Sequence, residues 1–389
     1  MKKKYIIFLI ITLVLLVVLI TSFNYFKTTN TYIDDSVNNQ TKITKGISMN
    51  LEQTAGAGDY KTVTRSSWPT EGYKFNTELS RCENGGEINW DDINKKVIVT
   101  GNVSDKCYVY FDIWIPSIAA YCTSGTDLAT CVKNFGDQGP SVSNIYIHNS
   151  ALTNGAGDNS YRYAGANPNN YVCFGSEATT CPDANLFRII GVFGDQAKVI
   201  RAKSVGDQPW HTSQVNNWSS SSLNTYLNGE YLTSLGTLAE KIATTTWKVG
   251  GGDEANISFS VPATAYQYEV GSSASTTTVD KKIGLMYVSD YYYGASPSAW
   301  KLVGYNESDA TKDYRAASST NWLYLGSTEW TISRNSGYTY LAFLVNSAGY
   351  VYYSGYVPVS LAVRPSFNLL SSVKYISGSG SMSDPVRIN

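Results

Sequence analysis

The sequence predicts an α+β protein with three parts: an N-terminal transmembrane helix, a small β-sandwich and a larger α+β domain. Three observations lead to this prediction. An apolar run occupies residues 5–26, short alternating segments fill 47–115, and a hairpin pattern followed by helical and strand-like segments fills 170–389. At 389 residues the chain is long enough for two folded domains in addition to a membrane segment.

The N-terminal apolar run has the length of one membrane-spanning helix. Residues 2–4 are lysines, and the run that follows supplies the roughly 20 apolar residues that cross a bilayer. Because flanking lysines stay in the cytoplasm, residues 1–4 are predicted to be cytoplasmic and the rest of the chain extracellular. A cleaved signal peptide is the alternative, although the run is long for one and Thr21-Ser22-Phe23 is a poor cleavage site.

Between the membrane segment and the last domain the pattern changes twice. Residues 27–46 are rich in Thr, Asn and Lys, which predicts a polar tether. Residues 47–115 contain short alternating segments separated by turn residues, which predicts a small β-sandwich. Residues 116–169 are less regular and are predicted to be a connector. Within it, the segment 154–160 is rich in oxygen ligands, but its spacing differs from that of an EF-hand loop and favours a plain turn.

The six cysteines suit an exported protein, because an even number outside the cytoplasm indicates disulfides. Pairing neighbours in the sequence is the most economical prediction, and buried free thiols are the alternative. The predicted pairs are Cys82–Cys107, Cys122–Cys131 and Cys173–Cys181. No Cys-x-x-Cys motif occurs and the chain has only two histidines, so we expect no zinc site, no other metal and no cofactor.

The charge balance argues against a nucleic-acid partner. The 30 lysines and arginines are offset by 31 aspartates and glutamates, and no basic stripe is visible. Proteins that bind nucleic acid usually carry a positive surplus on one face. Charged residues make up only 16% of the chain, while Gly, Ser, Thr, Asn and Tyr are abundant, which is typical of a β-rich surface protein. The predicted partners are instead the membrane, through the N-terminal helix, and a ligand outside the cell.

The segment from residue 170 onwards combines strand and helix signals. Leu186–Phe193 and Ala197–Ile200 are apolar runs around a Gly-Asp turn, which predicts a β-hairpin. A capping signal within Ser219–Ser222 and another at Thr237 predict two helices after the hairpin. Residues 282–288 read as a further strand, and a Trp- and Tyr-rich stretch follows. A hairpin, two helices and irregular strands together predict an α+β domain.

Several motifs of this domain resemble a bacterial surface-protein domain of uncharacterised function that is found mainly in Firmicutes and gut-associated bacteria. That domain is similar in outline to the C-type-lectin-like fold, which formylglycine-generating enzymes and the variable receptor proteins of diversity-generating systems share. The resemblance covers residues 170–389 and implies a C-type-lectin-like recognition domain. The motifs that carry it are Phe187-Arg188-Ile189-Ile190, Asn217-Trp218-Ser219, Leu223–Asn228, Trp330–Arg334 and Val363–Phe367.

The chain departs from the better-known proteins of that fold at their functional residues. Calcium-dependent lectins are expected to show Glu-Pro-Asn or Gln-Pro-Asp together with Trp-Asn-Asp, whereas this chain has Gln208-Pro209-Trp210 and Asn216-Asn217-Trp218. Formylglycine-generating enzymes use cysteines late in the domain, and no cysteine follows Cys181. The resemblance therefore implies neither calcium-mediated sugar binding nor that oxidation chemistry.

The tyrosines of the last quarter are the predicted ligand-binding residues. They alternate with Gly and Ser, as in paratopes, where Tyr supplies contact area at low entropic cost and small residues adapt. Half-buried strand positions are the alternative for each of them. The candidates are Tyr338, Tyr340, Tyr350, Tyr352, Tyr353 and Tyr356. Four landmarks around them are assigned to structure: Trp330, Arg334, Arg364 and Phe367.

Catalytic patterns are scarce in the sequence. No nucleophile elbow and no phosphate-binding loop occurs, and His148 lies in a strand-like run that favours a structural role. Three carboxylates, Glu329, Asp290 and Asp313, could converge as the acid pair of a hydrolase. The sequence thus predicts a non-catalytic, cell-surface-anchored binding or adhesion protein for a glycan, peptide or protein. A cell-envelope hydrolase and a purely structural envelope protein are the alternatives.

Overall fold

The structure is a computed structural model, and the chain forms two compact units, Met1–Ile115 and Pro116–Asn389. The described residues are 46–389 except 55, 65–67, 70–71, 92–93, 102–104 and 115. The predicted cytoplasmic residues 1–4, the predicted transmembrane helix 5–26 and the predicted tether up to residue 45 lie outside this part of the chain. Within the described residues, no helix has the length and apolar character needed to cross a membrane.

The predicted α+β class is wrong, because the protein is built mainly of β-sheet, with 32% strand against 22% helix. The helix signals in the sequence are genuine but local. Ser221 caps the short helix Ser222–Tyr226 through its side chain, and the Thr237 signal produces only the 3₁₀ segment Gly236–Lys241. The helix Ser222–Tyr226 buries Leu223 and Asn224, whereas the segment Gly236–Lys241 has no buried residue. The strand predicted at 282–288 is instead an irregular segment with a single bridge, Gly284 to Ser366.

The described part of the first unit contains seven strands in two sheets. One sheet has the order β2-β1-β7-β3, with β4 also paired to β7, and β5 pairs with β6 as a hairpin. Trp90 of the hairpin packs against Phe111 at 5.4 Å between ring centroids, so both sheets share one core. The strands are β1 Ile47–Glu52, β2 Tyr60–Val63, β3 Tyr73–Phe75, β4 Arg81–Cys82, β5 Glu87–Asp91, β6 Lys96–Thr100 and β7 Cys107–Ile113.

The second unit holds the remaining fifteen strands that the structure describes. They are β8 Ile145–Ile147, β9 Tyr161–Tyr163, β10 Tyr171–Cys173, β11 Leu186–Phe193, β12 Gln196–Arg201, β13 Asp207–Pro209, β14 Thr245–Lys248, β15 Thr278–Lys281, β16 Glu329–Arg334, β17 Leu341–Val345, β18 Val351–Tyr356, β19 Ser360–Ala362, β20 Ser366–Asn368, β21 Tyr375–Ser377 and β22 Val386–Ile388.

Short helices connect these strands. The α-helices are α1 Leu128–Gly136, α2 Pro140–Ser143, α3 Ser222–Tyr226, α4 Leu232–Ser234, α5 Glu254–Ile257, α6 Pro262–Glu269 and α7 Val288–Gly294. A π-helical turn, Leu227–Tyr231, joins α3 to α4. The 3₁₀ segments are Ile118–Tyr121, Asp183–Asn185, Trp218–Ser220, Gly236–Lys241, Pro297–Ala299, Ala310–Lys312 and Tyr314–Thr320.

An eight-stranded sheet organises one side of the second unit, in the order β20-β12-β11-β10-β22-β21, and β9 and β8 extend it. β10 pairs with the beginning of β11 and β9 with its end, so both strands lie along the same edge of β11. Gly191 lies at this second contact, where a Cβ atom would come within 2.2 Å of the Tyr161 carbonyl oxygen. Residues 116–169, predicted as a connector, therefore belong to the second unit.

A five-stranded sheet with the order β13-β19-β16-β17-β18 forms the other side of this unit. β17 is buried along its whole length, whereas β18 lies at the edge and carries four of the candidate tyrosines on or beside it. Gly355 lets β18 approach β17, because a Cβ atom there would lie 2.6 Å from both the Ala342 oxygen and the Trp330 ring.

Three disulfide bonds stabilise the two units. They join the pairs predicted from sequence proximity, and no described cysteine is free: Cys82–Cys107 in the first unit, and Cys122–Cys131 and Cys173–Cys181 in the second. Such bonds persist only where the environment is oxidising. The disulfides therefore indicate an extracellular or secreted protein.

Candidate functional site

The candidate tyrosines lie on and around one β-hairpin. β17 and β18 are joined by a tight turn in which Gly349, with a φ of 94°, adopts a backbone conformation that favours glycine. Tyr350 follows this turn directly, and Tyr338 and Tyr340 lie in the loop that enters β17. The hairpin and its entry loop thus bring all six candidates to one edge of the five-stranded sheet.

Three of the tyrosines form an exposed row, which we call the tyrosine ladder: Tyr338, Tyr340 and Tyr356. Their side chains are 42%, 42% and 39% exposed, respectively. The rings of Tyr338 and Tyr340 are 6.1 Å apart, and those of Tyr340 and Tyr356 are 6.3 Å apart, both in edge-to-face geometry. The ladder therefore presents adjacent aromatic rings to solvent.

A buried asparagine holds the loop that carries Tyr338 and Tyr340. Asn216 is 2% exposed, and its side-chain amide lies within hydrogen-bond distance of the carbonyl oxygens of Asn335, Tyr338 and Leu341, at 2.7, 2.6 and 2.6 Å. Its backbone N–H also donates to the Thr339 oxygen at 2.6 Å. These bonds fix the backbone beneath the exposed rings, so that little ordering is required when a ligand binds.

The other three tyrosines are half-buried and form a separate group, which we call the tyrosine cluster: Tyr350, Tyr352 and Tyr353. Tyr305 contacts all three rings, at 4.9, 5.7 and 6.4 Å. The Arg315 guanidinium lies over Tyr350 at 5.1 Å. Within the described residues, no ring contact joins the cluster to the ladder. The structure thus separates the six candidates into an exposed and a half-buried group.

The hydroxyl groups of all six tyrosines make no hydrogen bond to any described residue. Buried Tyr hydroxyls normally find a partner, and exposed ones are available to a ligand. Burial raises the pKa of Tyr350 and of Tyr353, so both hydroxyls remain protonated at neutral pH. The site can therefore offer apolar ring faces together with groups that donate and accept hydrogen bonds.

The four residues assigned to structure hold the sheet beneath this surface. Trp330 is 1% exposed and donates its indole N–H to the Gln208 oxygen at 3.0 Å. Arg334 donates to the Gly250 oxygen at 2.8 Å. Phe367 is fully buried in the main core of the unit. Arg364 binds the Glu329 carboxylate through two hydrogen bonds, of 2.7 and 2.6 Å.

The three carboxylates considered for a hydrolase are each bound by a different basic side chain. The ion pairs are Glu329–Arg364, Asp290–Lys198 and Asp313–Arg315. Each of these carboxylates is also at least 97% buried. Burial raises the pKa of Glu329, and the contact with Arg364 opposes that effect. None of the three therefore combines solvent access with an unpaired carboxylate, as a general acid or base requires.

The oxygen-rich segment 154–160 has the character of a turn. Asp158 accepts hydrogen bonds from the Ser160 hydroxyl at 2.6 Å and forms an ion pair with Arg162 at 2.6 Å. Its carboxylate is thus already bound by groups of the same chain.

His211, in the loop after β13, accepts backbone N–H groups of Ser213 and Ser222 through its Nδ1 atom.

Two residues beside the tyrosines were not found by sequence reasoning. Tyr305 packs on the tyrosine cluster, and Phe259 contacts both Tyr305 and Tyr353 while remaining 44% exposed. Both come from irregular loops between short helices, where no periodic pattern marks a position as part of a site. Only the contact between these loops and β18 reveals their role.

Comparison of the chain with known proteins found no matching family, no similar characterised protein and no similar solved structure.

Proposed function

We propose that this protein is a non-catalytic binding protein of the cell surface that recognises a glycan, a peptide or a protein through the tyrosine ladder. The observation that carries the proposal is the row of three exposed rings with unpartnered hydroxyls above a backbone fixed by Asn216. Exposed aromatic rings on a rigid support are typical of recognition surfaces.

The chemistry of the ladder suits ligands with flat apolar faces and polar edges. A tyrosine ring packs against sugar C–H groups or apolar side chains, and its hydroxyl can bond to the rim of the same ligand. The half-buried tyrosine cluster lies at the same sheet edge and supplies further hydroxyl groups. The pairing of Glu329, Asp290 and Asp313 with basic side chains supports binding without catalysis.

The proposal includes a location. The disulfides already indicate a protein outside the cytoplasm, and we propose in addition that the apolar segment 5–26 attaches the chain to the membrane. A surface protein held in this way would present the ladder to soluble ligands or to neighbouring cells, as an adhesin does.

The proposal is tested by screening the purified full chain against arrays of glycans, peptides and surface proteins. Each hit is then measured with the triple variant Tyr338→Ala/Tyr340→Ala/Tyr356→Ala. Because central aromatic contacts usually contribute 1 kcal/mol or more, we expect the affinity to fall by about 100-fold. The matched control is Tyr268→Ala, which removes another exposed tyrosine, 38% accessible, from α6.

We expect the control to bind as the wild type does, and both variants to remain folded at the assay temperature because the removed rings are partly exposed. The proposal fails if no array yields a ligand. It also fails if the triple variant retains wild-type affinity for every ligand found.

A further inference from the structure

A cavity in the same unit is lined by none of the six candidate tyrosines. It is a cavity of about 250 Å³ between the eight-stranded sheet, the two-stranded antiparallel sheet of β14 and β15, and the start of α7. Its walls include the rings of Phe193, Trp247, Tyr266 and Tyr287. Binding sites for small molecules are typically cavities of this kind, with apolar walls and a few convergent polar groups.

The register of the sheet explains why charged groups converge on this cavity. Arg162 of β9 pairs with Gly191 of β11, Gly191 pairs with Lys198 of β12, and Lys198 pairs with Asn368 of β20. These residues form one row across four strands, and directly paired residues project from the same face of a sheet. Glycine is required at position 191 of this row, because a Cβ atom there would come within 2.2 Å of the Tyr161 carbonyl oxygen.

Asp290, from the first turn of α7, lies between the two basic side chains. Its carboxylate is 2.5 Å from the Lys198 ammonium nitrogen and 3.7 Å from the Arg162 guanidinium. All three residues are 5% exposed or less, yet all line the cavity. With Lys248 and Asp158, the lining carries three basic and two acidic side chains. The side chains that line the cavity therefore include one more basic than acidic group.

Some hydrogen-bonding capacity at the cavity remains unused. The Lys198 ammonium has three N–H groups, but Asp290 is its one hydrogen-bond acceptor among the described residues. Its other neighbours are aromatic rings, with Tyr287 at 4.6 Å and Trp247 at 5.4 Å. The side-chain oxygen of Asn368 is buried without a partner in the described part of the chain. A buried lysine and an unpartnered amide oxygen are suited to a ligand that both accepts and donates hydrogen bonds.

We propose that this cavity binds an acidic monosaccharide, that is, a single sugar ring carrying one carboxylate. The surplus of basic side chains and the free Lys198 donors suit the carboxylate. The aromatic walls suit the apolar face of a sugar ring, and Thr245, Thr246 and Asn368 supply polar groups for its hydroxyls. A cavity of about 250 Å³ has room for one sugar ring. This site is separate from the tyrosine ladder and does not depend on the function proposed for it.

The test uses the purified full chain with D-glucuronate, D-glucose and benzoate as probes, measured by titration calorimetry and by saturation-transfer NMR. Because a hydrogen bond to a charged group contributes more than about 1.4 kcal/mol, we expect glucuronate to bind at least about tenfold more tightly than glucose. Benzoate, which has the carboxylate but no hydroxyls, should also bind more weakly than glucuronate.

Substitutions of residues that line the cavity test whether glucuronate binds there. Lys198→Met should weaken glucuronate binding by about tenfold or more, while Arg162 still faces the Asp290 carboxylate. Lys248→Met, at the edge of the cavity, should weaken it roughly threefold without removing a buried ion pair. The matched control is Lys203→Met, which removes a lysine that is 59% exposed and lies just beyond β12. The triple tyrosine variant should bind glucuronate as the wild type does.

Several results would overturn the proposal. Absence of glucuronate binding to the wild type rejects the site, and equal affinity for glucose rejects the role of the carboxylate. If benzoate binds more tightly than glucuronate, the proposal that the ligand is a sugar is rejected. If Lys198→Met fails to fold, the test depends on Lys248→Met. Binding lies elsewhere if Lys248→Met binds glucuronate with wild-type affinity. It also lies elsewhere if Lys203→Met loses as much affinity as Lys248→Met does.

Discussion

His148 shows at the scale of one residue how burial determines a role. Its side chain is completely buried, and its ring lies 4.5 Å from that of Tyr293 and 5.2 Å from that of Trp300. The Nδ1 atom accepts the Ala156 N–H at 3.1 Å, whereas Nε2 has no partner in the described residues. Burial lowers the pKa of His148 to about 2, and nearby Arg162 acts in the same direction. The ring is therefore neutral and structural at physiological pH.

The depressed pKa of His148 predicts a pH-dependent stability. Below the unfolded-state value of about 6.5 the unfolded chain binds a proton that the folded chain does not, so stability falls as the pH falls. In this range we expect His148 to lower the free energy of unfolding by about 1.4 kcal/mol for each unit by which the pH falls. The measurement compares urea unfolding of the wild type and of His148→Phe between pH 7 and pH 5.

The phenylalanine variant retains the ring but cannot titrate. It should be less stable at pH 7, because the Ala156 N–H loses its acceptor, and the difference should shrink by about 2 kcal/mol by pH 5. Comparing the two proteins removes the contributions of other titrating groups. A difference that stays constant with pH would show that His148 does not titrate as burial requires.

At the scale of an element, the loop 335–341 is held by a residue distant in the sequence, Asn216. The Asn216 amide donates toward three carbonyl oxygens of this loop. Asn216→Asp has the same shape but places carboxylate oxygens against those carbonyls. We expect a loss of about 1–3 kcal/mol in stability and faster amide hydrogen exchange over 335–341, measured by mass spectrometry.

The neighbouring residue provides a matched control for that prediction. Asn217 caps the segment Trp218–Ser220 by accepting the Ser219 N–H at 3.1 Å, and an aspartate there keeps the acceptor. Asn217→Asp should therefore leave both the stability and the exchange of the loop close to wild type. Similar effects from the two variants would mean that the added charge, and not the lost donors, disturbs the loop.

The elements also show where sequence periodicity was informative. β7 alternates between buried and half-buried positions, which its sequence predicted, and β11 is a continuous apolar run buried at seven of eight positions. The predicted helices are shorter in the structure, because a capping residue and one apolar turn match the helix pattern without requiring a long helix. In this protein such turns only connect strands, so the fold is β-rich rather than α+β.

At the scale of the whole molecule, the chain has two units with separate cores and at least one disulfide in each. The proposed membrane attachment applies to the entire chain and can be tested by replacing residues 1–26 with a cleavable signal peptide. We expect the full chain to remain in the membrane fraction after an alkaline wash, and the replacement to appear in the medium with all six cysteines oxidised. Full-length chain released by the alkaline wash, or free thiols in the exported protein, would contradict this expectation.

The candidate site was only partly predictable from the sequence. The abundance of tyrosine between residues 338 and 356 identified a surface, because composition reports contact chemistry. Which tyrosines are exposed was not predictable, since Tyr352 and Tyr353 are adjacent on β18 yet both are half-buried under Tyr305. That outcome depends on a loop far away in the sequence.

The sequence by itself determined the local properties of this protein: the neighbouring cysteine pairs, the strand-rich character of the first unit, the buried Trp330 and Phe367, and the tyrosine-rich edge. Tertiary structure alone decided the β-rich class, the separation of ladder from cluster, and the meeting of Arg162, Lys198 and Asp290. Periodicity and composition record whether a position is buried or polar. They do not record which distant strands become neighbours, and strand pairing is what brings those three charges into one cavity.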